Sequence, residues 1–157
     1  MCIRDRNKLI SVLVNAQMYS MNNKITINGI GFYVCPLMNS MIRLGEYEDK
    51  CYMFEALCNS DEMLDRKVRG KGVVNMTIQE YVLKACQSSN RKQKKITEES
   101  AAVLSEEIKK FNMDKLPILV CNARDDVDSN STGLIANRLA DQYQRPCSVS
   151  YTHLRAH

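Results

Sequence analysis

No tryptophan occurs in the 157 residues, and the aromatic share is 6%, so any core is filled by aliphatic side chains and by the nine methionines. Histidine is nearly absent as well: the two present, His153 and His157, lie in the last five residues. The seven cysteines contain no C-x-x-C pair, which argues against a zinc site of paired spacing. Cys35, Cys51, Cys58, Cys86 and Cys121 sit among apolar neighbours or on helical faces, and they are expected to be buried free thiols in a reducing cytosol. No apolar run approaches the length of a membrane span, and no secretory apolar segment precedes the domain. The expected location is cytoplasmic, with no membrane partner. What is present suffices for folding: 45% hydrophobic residues can build a core, and the length suits one domain or pieces of two.

Both ends stand apart. Met1–Arg6 and Ser148–His157 resemble translated sequencing-adaptor read-through, as found at the ends of metagenome-derived frames, and both are set aside from fold reasoning. The remainder has no histidine, so it offers no Ser-His or Cys-His pair and no His-ligated metal. Setting aside Arg4, Arg6, Arg155 and Asp5 lowers the formal charge from +4 to +2, too weakly basic to argue nucleic-acid binding by itself.

The stretch Leu116–Pro146, LPILVCNARDDVDSNSTGLIANRLADQYQRP, organises the rest. Ile118-Leu119-Val120-Cys121 is a short apolar run that predicts a strand buried on both faces. Asn122 to Asn130 is polar and predicts a loop. Leu134, Ile135, Leu139 and Tyr143 fall three to four apart and predict a helix, which Arg145-Pro146 ends. Strand, loop, helix and a second strand make half of an α/β layer with a right-handed crossover.

Gly133-Leu134-Ile135-Ala136-Asn137-Arg138-Leu139, followed by Tyr143 and Arg145-Pro146, resembles the "G-I-V-A-S-R-L … Y-x-R-P" segment of RecJ-type single-stranded-DNA exonucleases. These are DHH-superfamily phosphoesterases, and the segment lies in their DHH-associated domain. Thr132 to Ala140 is most similar to the shorter RecJ-like proteins of phages and Firmicutes. A second, distant match runs from Gly29 to Gly45. It resembles the family's "I-G-F-x-[IL]-x-P-x-[IL]-N-A-A-G-R-[LM]-G", with Gly31, Phe32, Pro36, Asn39, Arg43 and Gly45 in register. The small Ala-Ala-Gly of the pattern is replaced by Ser40-Met41-Ile42, which questions a close backbone approach at Ile42. In the family this segment lines the groove between the two domains, so the resemblance implies Asn39 and Arg43 as phosphate contacts. A planar, permanently charged guanidinium suits phosphate oxygens. The plainer alternatives are an arginine at a helix end and an asparagine in a turn.

The remaining segments follow from periodicity. Asn7 to Met21 predicts an amphipathic helix through Leu9, Ile10, Leu13, Val14 and Met18, and Ile25-Thr26-Ile27 a brief strand. Tyr47 to Cys58 predicts a helix whose inward face is Tyr47, Cys51, Phe54, Leu57 and Cys58. Ser60-Asp61-Glu62 predicts the start of a short helix, with Asp61, Glu62 and Asp65 as first-turn charges rather than metal ligands. Asp65 to Asn75 predicts a flexible basic loop that lacks the spacing of a phosphate loop. Thr77 to Glu80 is a capping box opening a long helix. That helix is apolar at both ends and polar all round from Gln87 to Lys95, as expected of a rod bridging two domains. The RecJ family has such a connecting helix, and the resemblance implies Arg91 and Lys94 as DNA-facing charges; solvated charge is the alternative.

The expected fold class is therefore α/β. Residues 7–75 would form the C-terminal part of a DHH catalytic domain, 76–112 the connecting helix, and 113–147 part of the DHH-associated domain. The family's D-x-D and D-H-H motifs hold two divalent ions, Mn²⁺ or Mg²⁺, that clamp a phosphodiester, with metals spaced about 3.5–4 Å apart. None of those motifs occurs here, so no catalytic residue and no metal ligand is assigned to this chain. The resemblance, spanning Leu9 to about Pro146, implies a fragment of a monomeric 5′→3′ single-stranded-DNA exonuclease. The alternatives are another DHH phosphoesterase, acting on oligoribonucleotides or cyclic dinucleotides, and a non-catalytic single-strand-binding or scaffold relative.

Overall fold

The structure is a computed structural model that describes residues 6–68, 70, 72–123 and 129–150. It is a mixed α/β chain with two compact units, Met1–Arg91 and Lys92–His157.

The first unit opens with α1, Lys8–Ala16. Asn7 caps it, its Oδ1 accepting from Ile10 N at 3.0 Å, while its Nδ2 donates to the Leu57 carbonyl at 2.7 Å. One side chain thus starts one helix and ties it to the end of another. The apolar stripe Leu9, Leu13 and Val14 is fully buried. Asn22 and Asn23, both at positive φ, end this region. The expected strand at residues 25–27 does not form. Thr26 instead accepts from Gly29 N at 2.9 Å and caps a helical run, because a hydroxyl satisfying an orphan N–H outweighs the weak alternation of two isoleucines. The run consists of Ile27–Gly29, a π turn at Ile30–Val34, and α2, Cys35–Leu44. Helix α3 follows, Tyr47–Leu57, with Glu48 and Asp49 at its positive end.

The face of α3 differs from expectation. Met53 and Ala56 are buried, whereas Tyr47 and Phe54 are 83% and 68% exposed. The apolar residues of α3 are spread round the helix, so periodicity alone could not choose between faces; the polar tie between Asp49 Oδ1 and the Tyr81 hydroxyl at 3.1 Å holds the observed one. The segment expected to be a short helix and a flexible loop is a β-hairpin. Strand β1, Met63–Val68, pairs antiparallel with β2, Gly72–Thr77. Gly70 and Gly72, at φ 82° and 73°, supply the left-handed backbone of the connection. Arg66 Nη1 donates to the Tyr81 carbonyl at 3.2 Å, and its guanidinium lies 4.9 Å from the Tyr81 ring centroid, so the basic strand is anchored through its side chain.

Helix α4, Ile78–Lys110, begins at Thr77, whose hydroxyl accepts from Glu80 N at 3.3 Å. Its first turns bury Ile78, Val82, Ala85 and Cys86 in the first unit's core with Leu13, Leu37 and Met41. Its last turns bury Ala101, Leu104 and Ile108 in the second unit's core with Leu119, Ile135 and Leu139. The intervening stretch is not solvated all round: Ser89, Gln93 and Thr97, spaced four apart, are buried. A line of small or uncharged side chains can be covered where charged ones cannot.

The second unit is a β–α–β element. Strand β3, Leu119–Asn122, pairs in parallel with β4, Cys147–Ser150, through helix α5, Thr132–Tyr143. Strand β4 takes in Ser148–Ser150, the start of the segment set aside from the sequence. The expected two-faced burial of β3 is not observed. Leu119 and Cys121 are buried, but Ile118 and Val120 are 54% and 64% exposed, since only one face of this two-stranded sheet is covered. Tyr143 and Arg145, part of the Gly133–Pro146 motif, hold this unit together. The Tyr143 hydroxyl lies 2.6 Å from Ser105 Oγ on α4, and Arg145 Nη1 donates to the Leu116 carbonyl at 2.6 Å. The expected loop is described only at its ends, because 124–128 lie outside the described residues.

Candidate nucleic-acid interface

The glycine-and-proline motif is built into one helix. Pro36 occupies the first turn of α2, directly after the π turn. Leu37, Ser40 and Met41 face the core, and Ser40 Oγ donates to the Leu37 carbonyl at 2.7 Å, so the hydroxyl that replaces a small apolar residue is satisfied. Ile42, the other departure from the pattern, is 53% exposed, so its larger side chain is accommodated toward solvent. The close approach sits at Gly45 instead. A Cβ there would lie 2.5 Å from the Met41 carbonyl oxygen, the same oxygen that accepts the Gly45 N–H at 2.8 Å.

The inward turn of Leu37, Ser40 and Met41 leaves Asn39 and Arg43 on the outer face of α2, one turn apart and both exposed. Arg43 is also the basic residue of the last turn of α2, where its charge complements the helix dipole. The two side chains together present amide and guanidinium donors, the chemistry that phosphate oxygens accept.

Arg91 and Lys94 lie elsewhere, on α4, three residues apart and exposed. With Lys92 and Lys95 they are exposed around the buried line Ser89, Gln93 and Thr97, Lys92 and Lys94 flanking it and Arg91 and Lys95 lying farther round the helix. Lys95 pairs with Glu99 at 3.7 Å, both well exposed, an ion pair of small energetic weight. The four residues expected to meet DNA thus form two pairs on two helices.

The carboxylates weighed as metal ligands do not converge. Asp61 pairs with Lys8, and Asp65 Oδ1 accepts from Asn75 Nδ2 at 2.7 Å across the hairpin. They flank and enter a strand, not a helix, so their role as first-turn charges is replaced by these interactions. Among the described residues no group of three or more His, Cys, Asp or Glu side chains could hold a metal ion.

The thiols are poor nucleophiles where they are buried. Burial, with the Asp49 charge adding to it, pushes the Cys86 thiol up to about 12, and burial followed by the neighbouring Cys147 pushes Cys121 up to about 11. Both are protonated at neutral pH. Cys35 and Cys58, expected to be buried, are exposed: the first lies on the outer side of α2, and the second is the C-terminal cap of α3. No helix among the described residues is long and apolar enough to cross a membrane.

Sequence reasoning missed one feature beside this site, a pocket between the Asn22-Asn23 turn and the π turn. No periodicity in the sequence marked the π turn.

No protein-family model matches the chain. It is 28% identical over 142 residues, 90% of its length, to a candidate SPbeta prophage-derived single-strand DNA-specific exonuclease, YorK, of Bacillus subtilis strain 168. The corresponding YorK protein of Bacillus phage SPbeta matches to the same extent. The chain spans 25% of the length of these relatives.

Proposed function

We propose that this chain is part of a RecJ-like 5′→3′ single-stranded-DNA exonuclease and contributes part of its DNA-binding groove. The observation that carries the proposal is the similarity, over 90% of the chain, to relatives named for single-strand DNA-specific exonuclease activity. The two motif segments, Gly29–Gly45 and Gly133–Pro146, support the finer assignment to the RecJ type. Residues 7–75 then belong to the end of a DHH catalytic domain, α4 is the connector, and 113–147 open the DHH-associated domain. Hydrolysis belongs to the remainder of a monomeric, cytoplasmic parent, which holds Mn²⁺ or Mg²⁺. This chain alone is expected to be inactive.

In this reading Asn39 and Arg43 touch the strand's phosphates, and Arg91 and Lys94 add positive charge along α4. The test is single-stranded-DNA binding by the complete parent at several salt concentrations. Arg43→Ala should weaken binding across sequences and reduce the salt slope, by about 0.7 for each phosphate of a single strand that is no longer neutralised. Unchanged affinity and slope would remove Arg43 from the interface.

A further inference from the structure

The helical run entering α2 is interrupted by a π turn, and a concave surface lies beside it. The Cys35 N–H bonds back to the Ile30 carbonyl, five residues away, so Ile30–Val34 carries one more residue than an α-helical turn holds. Such insertions are rare and recur at functional sites. Within this turn Val34 stays in the core, while Phe32 is 76% exposed and Tyr33 is partly exposed. Rings this exposed contribute little to the core.

Opposite them is the turn through Asn22 and Asn23, at φ 52° and 57°. Gly29 allows this turn to come close, since a Cβ there would meet Met21 Sδ at 3.0 Å and Thr26 Oγ1 at 3.1 Å. The result is an open pocket of about 330 Å³ whose lining includes Asn22, Lys24, Asn28, Phe32 and Tyr33. That volume lies within the range of small-molecule sites, roughly 300–1,000 Å³. The lining combines two aromatic rings, two amides and one ammonium, and contains no carboxylate. It suits a ligand that is flat, polar at its edges and joined to a negative charge.

We infer that this pocket receives one unstacked base of a single strand, with the base against Phe32 or Tyr33 and an adjoining phosphate on Lys24. The inference rests on the proposal that the parent handles single-stranded DNA, and it adds a base-stacking subsite to the phosphate-binding face of α2. Every base has a π face, so such a subsite grips a strand without selecting its sequence. The amides of Asn22 and Asn28 can donate to or accept from the base edge whichever base enters.

The test titrates a fluorescein-labelled thymidine dodecamer with the whole chain by anisotropy, then an abasic strand of equal charge. The variants are Phe32→Ala, Phe32→Tyr, Lys24→Ala and Arg43→Ala, each checked for native circular dichroism. Wild type should prefer the thymidine strand about tenfold, a preference that Phe32→Ala abolishes and Phe32→Tyr retains. Lys24→Ala should lower the salt slope by about 0.7. Equal binding of both strands by wild type overturns the pocket; if Arg43→Ala still weakens both, the phosphate interface on α2 stands without it. A preference for bases that survives Arg43→Ala, with no fall in affinity, supports the pocket and removes Arg43. Binding of neither strand overturns both.

Discussion

Substituting Gly45 by alanine probes the end of α2 that carries Arg43. The backbone there has φ −71°, which alanine adopts freely, so the cost is steric. The new Cβ would lie 2.5 Å from the Met41 carbonyl oxygen and 3.1 Å from Met41 Cγ, and Met41 is fully buried. A backbone oxygen held by the helix cannot swing aside as a side-chain tip can, so the last turn or the following residues must shift. Forcing an added methyl into packed surroundings costs about 1–3 kcal/mol, offset by about 0.4–1 kcal/mol from the stiffer unfolded chain. A net loss of about 1–2 kcal/mol is expected. Gly31→Ala is the internal control: a methyl at that position meets open space within 4 Å, so the unfolded-state gain of about 0.4–1 kcal/mol should appear alone. The assay is urea unfolding followed by NMR signals of first-unit core residues such as Leu13 and Val82, because two units need not melt together. Equal or greater stability of Gly45→Ala would refute the close approach.

Three further outcomes follow from the packing and the thiols. Tyr143→Phe removes the hydroxyl that lies 2.6 Å from Ser105 Oγ and should cost the second unit about 1 kcal/mol, read from its own urea transition. Stability should fall at alkaline pH: the folded thiols of Cys86 and Cys121 are raised from 9.0 to about 12 and about 11, so the unfolded chain loses those protons first. Their contribution is full below pH 9 and is lost as pH rises from 9 toward 11–12, and Cys86→Ala should flatten that decline in a pH series of unfolding curves. A thiol reagent at neutral pH should label the exposed Cys35 and Cys58 quickly, and Cys86 only on unfolding.

Helices were legible because their information is local. The stripe Leu9, Leu13, Val14, the capping hydroxyl of Thr77 and the proline after α5 each state an element in a few residues. The hairpin was not legible, because Arg66 and Lys67 on β1 look like loop composition. What makes Arg66 a strand residue is the ring and carbonyl of Tyr81, fifteen positions away. The exposed face of α3 and the one-sided burial of β3 failed for the same reason: apolar content says that a residue can be covered, and only tertiary packing says whether it is. At the candidate site, Asn39 and Arg43 were marked by the resemblance alone; that both lie exposed on one side of α2 comes from the helix itself. The pocket beside it depends on a backbone insertion and a pair of left-handed asparagines, which side-chain periodicity does not encode.

The central claim is that the chain is part of a 5′→3′ single-stranded-DNA exonuclease, and end-labelled degradation by the complete parent tests it most directly. Single strands labelled at the 5′ or the 3′ end are incubated with the purified parent and Mn²⁺, and the products are resolved by length. The account predicts immediate release of the 5′ label as a mononucleotide, late release of the 3′ label, and no cleavage by the 157-residue chain alone. An intact strand, or release beginning at the 3′ end, would contradict it.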